Sequence, residues 1–197
     1  MDEIKTYKQK IKKNPDDAEA HYNLGLAYCN LGRYQEAIKP YKQVIRLDPD
    51  LAEAHYNLGL AYINLGLHQE AIKSCKQAIE INPDYGGAHA NLGLAYFKSG
   101  KYQEAIKSYK RAIRIDPDYG SAHAGLGLAY YESGKYEEAI ESSKQAIEID
   151  PDQAFPHYLL GIASLALNDR DSALEQYKIL KKLDTGVANL LFNSIYE

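Results

Sequence analysis

Residues 18–51 read AEAHYNLGLAYCNLGRYQEAIKPYKQVIRLDPDL, and residues 52–85 read AEAHYNLGLAYINLGLHQEAIKSCKQAIEINPDY. Laid side by side, the two stretches agree at 24 of 34 positions. Outward from this pair, Pro15, Pro49, Pro83, Pro117 and Pro151 fall 34 residues apart, each after Asn or Asp and before Asp. A fixed period of this length marks stacked copies of one small structural unit. Full units run 18–51, 52–85, 86–119, 120–153 and 154–187. Residues 1–17 match the second half of a unit, with Ile4, Tyr7, Ile11 and Pro15 in register. Residues 188–197 match only its first turns and predict a short capping helix.

Inside a unit the apolar spacing is helical. Leu24, Ala27, Tyr28 and Leu31 recur at three- and four-residue steps. After Gly32 the pattern restarts as Tyr34, Ala37, Ile38, Tyr41, Val44 and Ile45. Gly32, Gly66, Gly100 and Gly134 stand between the two patterns, where a left-handed helix terminus is wanted, and Asn168 stands there in the fifth unit. The Asp-Pro-Asp run stops the second helix, and its acid is expected to cap the next one. Each unit is therefore predicted to be two antiparallel helices.

His21-x-x-Leu24-Gly25-x-x-Tyr28, then Ala37-x-x-x-Tyr41, then Pro49, resembles the tetratricopeptide repeat. The resemblance recurs five times and covers nearly the whole chain. It implies an all-α, right-handed superhelical solenoid of helix–turn–helix repeats. One departure is consistent: the family's usual Trp is His at positions 21, 55, 89, 123 and 157. In the fifth unit Ser164 replaces the Tyr and Leu180 the small residue, as suits a terminal repeat. Small Gly25 and Ala37, with their equivalents, allow close helix approach. Much of the excess of tyrosine, 18 copies against 3 Phe and no Trp, lies in the ladders of Tyr28 and Tyr34.

Composition narrows the function. A net charge of −4 argues against a nucleic-acid partner, which calls for a clustered basic excess. The start, MDEIKTYKQK, has no apolar signal core, and the most apolar stretch, 158–167, is too short to span a bilayer. Cys29 and Cys75 occupy non-equivalent places, which disfavours a disulfide and suits a reducing, cytoplasmic setting. The equivalent histidines do not form a metal site, because adjacent packed helices lie about 8–10 Å apart and no second ligand pattern accompanies them. Gly125-Leu126-Gly127 lacks the strand and third glycine of a phosphate loop. Basic runs such as Lys39, Lys42 and Arg46 read first as solvated surface. No cofactor and no catalytic set stands out from the repeat, so the chain is not expected to be an enzyme.

In this family the first helices line a concave groove, and the resemblance places candidate binding residues there. One ladder is Tyr22, Tyr56, Ala90, Ala124 and Tyr158. The next is Leu26, Leu60, Leu94, Leu128 and Ile162. The third includes Ile63, Phe97 and Tyr131. Relatives that grip a C-terminal carboxylate carry Lys and Asn in the first two ladders, so that mode is not expected. The lining is apolar, which marks an interaction surface. Ala90 and Ala124 are expected to leave room beside Phe97 and Tyr131, with Ala124 exposed. Periodicity alone does not separate the groove from the seam between repeats. The function this predicts is a protein–protein adaptor or scaffold holding a peptide or partner protein by an apolar segment. The alternative is a structural scaffold that forms a homo-oligomer through its ends, and a third reading is a regulatory subunit bound to an enzyme.

Overall fold

The computed structural model describes residues 2–196, and all of its regular structure there is helical. The chain divides after Ser99 into two compact units. The first unit holds α1 (Asp2–Lys13), α2 (Ala18–Asn30), α3 (Tyr34–Leu47), α4 (Ala52–Asn64), α5 (His68–Ile81) and α6 (Gly86–Lys98). The second holds α7 (Tyr102–Ile115), α8 (Gly120–Glu132), α9 (Tyr136–Ile149), α10 (Ala154–Ala166), α11 (Arg170–Leu183) and α12 (Thr185–Tyr196). Within each unit a helix packs on its chain neighbours, and α4 also meets α2 and α6, as α10 meets α8 and α12.

The turn inside each repeat has one design. Gly32, Gly66, Gly100, Gly134 and Asn168 adopt φ between 62° and 75°, the left-handed region. The next residue's N–H then reaches back over the helix end: Arg33 to the Tyr28 carbonyl, Leu67 to Tyr62, Lys135 to Tyr130 and Asp169 to Ser164, each at 2.9–3.0 Å. Together with the bond from Gly32 to Cys29 and its equivalents, these satisfy carbonyls the helix leaves open.

The turn between repeats corrects one expectation. Only at α2 does the acid after the proline motif cap a helix, with Asp17 accepting from the Ala20 N–H at 2.8 Å. Leu51, Tyr85, Tyr119 and Gln153 occupy that position elsewhere and make no side-chain cap. The residue before each proline does the work instead. Asn14, Asp48, Asn82, Asp116 and Asp150 each accept, through the side chain, the N–H two residues on at 3.2–3.3 Å. This side-chain turn suits Asn and Asp, whose short polar arms mimic a backbone carbonyl.

The histidines complete that turn. Nε2 of His21, His55, His89, His123 and His157 lies 2.9–3.0 Å from the carbonyl of the proline six residues earlier. Each ring therefore donates from Nε2, fixing its tautomer and tying the first helix to the turn that precedes it. His157 Nδ1 also lies 2.7 Å from the Gln176 side-chain oxygen, an acceptor.

At one position of the second helix large and small residues alternate along the sequence, Tyr41, Cys75, Tyr109 and Ser143. The Tyr41 ring lies where a Cβ on Gly25 would come within 2.6 Å, and Cys75 Sγ stands 2.8 Å from the same place on Gly59. The equivalent residues are Tyr109, buried, and Ser143, fully buried, whose hydroxyl bonds the Ala139 carbonyl at 2.8 Å. The tail covers the last repeat: Ala188, Leu191 and Ile195 of α12 are buried against α10 and α11. This helix begins at Thr185, three residues ahead of the predicted 188. Thr185 stands where the other repeats carry proline, and Asp184 both ends α11 and accepts the Val187 N–H at 3.0 Å.

Candidate functional site

The candidate residues lie on the first helices of the repeats, α2, α4 and α6 in the first unit and α8 and α10 in the second. In the first unit, Tyr22 and Leu26 of α2, Tyr56, Leu60 and Ile63 of α4, and Leu94 and Phe97 of α6 are all half-buried. Tyr22 sets its ring edge against Tyr41, with centroids 6.0 Å apart, and its hydroxyl accepts from Asn57 Nδ2 at 2.9 Å. Burial pushes the Tyr22 phenol up, which keeps it neutral. Tyr56 turns instead toward Tyr85, with ring centroids 4.9 Å apart. Those two rings lie within 3.3–3.5 Å of a Cβ built on Gly87, one turn before Ala90. Aromatic bulk therefore flanks this part of α6.

The second unit brings four candidates into one cavity. Leu128 and Tyr131 of α8 with Tyr158 and Ile162 of α10 line an open hollow of about 510 Å³. Leu165 and Ala166 extend its wall, Glu132 adds one charge, and Ser194 of α12 closes one side. Tyr131 also meets Tyr136, with centroids 5.5 Å apart. Burial, then the neighbouring Tyr136, Tyr158 and Glu132, pushes its phenol up. The hydroxyl stays protonated near neutrality and can donate one hydrogen bond from a mostly apolar wall.

Ala90 and Ala124 depart from expectation. They are only 8% and 7% exposed, so neither offers an open position on the face. The leucine ladder is half-buried. Leu128 and Ile162 line the cavity, and Ile162 also packs on the core of the last repeat.

Sequence reasoning missed the roles of Tyr85, Asn57 and Ser194. Asn57 is signalled by the repeat of Asn23, Asn57 and Asn91. Tyr85 recurs as Tyr119 in the turn between repeats, whereas Ser194 lies in a helix that starts off the repeat register, so no pattern marks it. It also missed cations over the buried tyrosine ladder. Lys8 and Arg33 stand 5.8 and 4.8 Å from the Tyr28 ring centre, and Lys110 and Lys135 stand 5.5 and 5.9 Å from that of Tyr130. The thiols are poor nucleophiles: burial pushes Cys75 up to about 12, and burial also raises Cys29, whose sulfur accepts from the Tyr41 hydroxyl. No helix among the described residues is long and apolar enough to cross a membrane.

Tandem helix pairs joined by left-handed turns, repeating every 34 residues, define an all-α helical-repeat protein. The TPR repeat family matches residues 26–66, 94–134 and 127–168, and two tetratricopeptide repeat families match 52–85, and 6–39 with 74–107. The chain belongs to the tetratricopeptide repeat family. Among solved structures it is similar to MamA, at 31% identity over 84% of this chain and 91% of that one, with a TM-score of 0.75. TTC0263, a thermophilic TPR protein of Thermus thermophilus, is 26% identical over 91% of this chain and 100% of its own, with a TM-score of 0.71. YrrB, described as a TPR protein with an unusual peptide-binding site, shares the fold at 22% identity, covering 95% and 97% of the two chains with a TM-score of 0.75. No curated protein matches the sequence significantly.

Proposed function

We propose that this chain is a non-catalytic protein–protein interaction scaffold that holds a partner peptide by an apolar segment. The observation that carries the reading is the cavity of the second unit, where Leu128, Tyr131, Tyr158 and Ile162 converge. Its apolar wall with a few polar groups is how a recognition site combines affinity with orientation. The first unit's row from Tyr22 to Phe97 is a separate stretch of half-buried apolar surface. The free, protonated thiols suit a cytoplasmic, reducing setting, and the net charge of −4 gives nucleic acid little to bind.

The test is selection of displayed peptides on the full chain, followed by calorimetric titration. The selected peptides should share two or more large apolar residues. Tyr131→Ala should weaken them by about 2 kcal/mol, the usual weight of an aromatic anchor. A polar consensus, or undiminished affinity in folded Tyr131→Ala and Ile162→Asp variants, rules the cavity out. A second reading, self-assembly through an end, is favoured by Leu190 and Tyr196 of α12, which are 56% and 58% exposed. Sedimentation equilibrium that shows a monomer at high concentration removes it.

A further inference from the structure

A cleft larger than the hollow of the second unit lies away from the candidate rows. In the first unit α1 and α3 both pack on α2, and an open cleft of about 590 Å³ runs between them. Its floor is Leu24, Tyr28 and Pro40, and Lys8 and Lys39 stand on its rim. The acid at its edge, Glu36, is held in an ion pair by Arg33, which keeps that carboxylate below its ordinary range. A hollow that shares Lys8 continues the surface along α1 and adds Lys5 and Lys12.

The next repeat shows what is particular to this place. The equivalent cleft between α3 and α5 is smaller, about 410 Å³, with Ser74 where Pro40 stands. It carries Glu70 at the position of Glu36, but Leu67 replaces Arg33 at the start of the helix. The first cleft is thus wider, and its one acid is already engaged. The lysine pair itself recurs in the second cleft as Lys42 and Lys73, and what sets the first apart is its size, its engaged acid and the adjoining Lys5 and Lys12.

We propose that the α1–α3 cleft is a second binding site, taking an acidic peptide segment that inserts one large apolar side chain between the two helices. Burial of the anchor supplies affinity, and the lysines choose an acidic partner and speed its arrival. Lys42 and Arg46 of α3 are less available to it: Lys42 belongs to the next cleft, and Arg46 pairs with Asp16 at 2.9 Å.

The probe is a short synthetic peptide of Asp and Glu with one central Trp, labelled and titrated by fluorescence anisotropy against the full chain. Binding should fall about tenfold or more in the pair Lys8→Glu with Lys39→Glu, and by a smaller factor in Lys8→Gln with Lys39→Gln. The control pair Lys107→Glu with Lys144→Glu makes the same charge change elsewhere and should bind like the wild type. Replacing the peptide's Trp by Ala should cost about tenfold. No binding, equal loss in the control pair, or indifference to the Trp overturns the proposal. Phosphatidylserine vesicles that sediment with the wild type but not with the Lys8→Glu, Lys39→Glu pair, while the peptide fails to bind, replace the peptide by a membrane surface. Circular dichroism melts establish that each variant is folded.

Discussion

Two single residues carry sharp expectations. Cys75 is fully buried, and its thiol is pushed up to about 12. Burial also raises Tyr41 and Tyr109. For an acid raised in the folded state, the unfolded chain loses its proton first. The stabilisation is therefore complete below the unfolded value near 9 and declines as pH climbs toward 12. Chemical denaturation should show that loss beginning above about pH 9, and Cys75→Ala should make it shallower. An unchanged slope in that variant assigns the loss to the tyrosines. Ala124 is 7% exposed, so Ala124→Arg forces a charge into a closed place and should cost about 2 kcal/mol or more of stability. A melting temperature equal to that of the wild type would show that the arginine escapes to solvent. The sequence placed Ala124 on a first helix, where it lies in α8. It gave no measure of how deeply that methyl is buried, because periodicity records direction and not depth.

At the scale of the helix, Pro40 is the anomaly. It sits inside α3, which runs unbroken from Tyr34 to Leu47, with Ala37, Tyr41 and Val44 fully buried around it. Proline offers no N–H to the Glu36 carbonyl. The serines that replace it in later repeats keep that N–H and add a hydroxyl bond, from Ser108 to the Glu104 carbonyl at 2.9 Å and from Ser142 to Glu138 at 2.8 Å. Pro40→Ser should recover much of the roughly 3 kcal/mol that an interior proline costs. Calorimetry should show a melting temperature several degrees higher; an unchanged or lower value means that packing of the ring in the cleft outweighs the lost bond. The helices themselves were legible because glycine and proline punctuate every unit at fixed offsets. The capping scheme was not, since an acid beside proline can serve either the turn or the next helix. Only the geometry shows the Asp before the proline closing the turn and the histidine ring answering it.

Across the molecule, the tail matters most. Leu191 lies within 2.6 Å of where a Cβ on Gly161 would stand, and Leu180 and Ala173 are fully buried in the same cluster. Ending the chain after Asp184 uncovers that surface and should drive association, read as a rising mass by light scattering at high concentration. A truncated chain that stays at the wild-type mass shows that α12 is dispensable as a cover. The repeat architecture and its family were legible from one period in the proline spacing. The cavity was half legible: the rows were visible, but Ser194 enters it from a helix whose start departs from the period. The alternation of bulk at one position of the second helix bears on how such a chain avoids folding wrongly. Neighbouring units are so alike that a first helix could dock on the second helix of the wrong one. A slip by a single unit sets a ring against a surface shaped for a thiol or hydroxyl, an overfilled contact that costs about 1–3 kcal/mol. A slip by two units meets no such mismatch at that position, but the nascent chain encounters the nearer wrong partner first. The size pattern thus works as a parity check, rejecting the registry error that chain proximity makes most frequent.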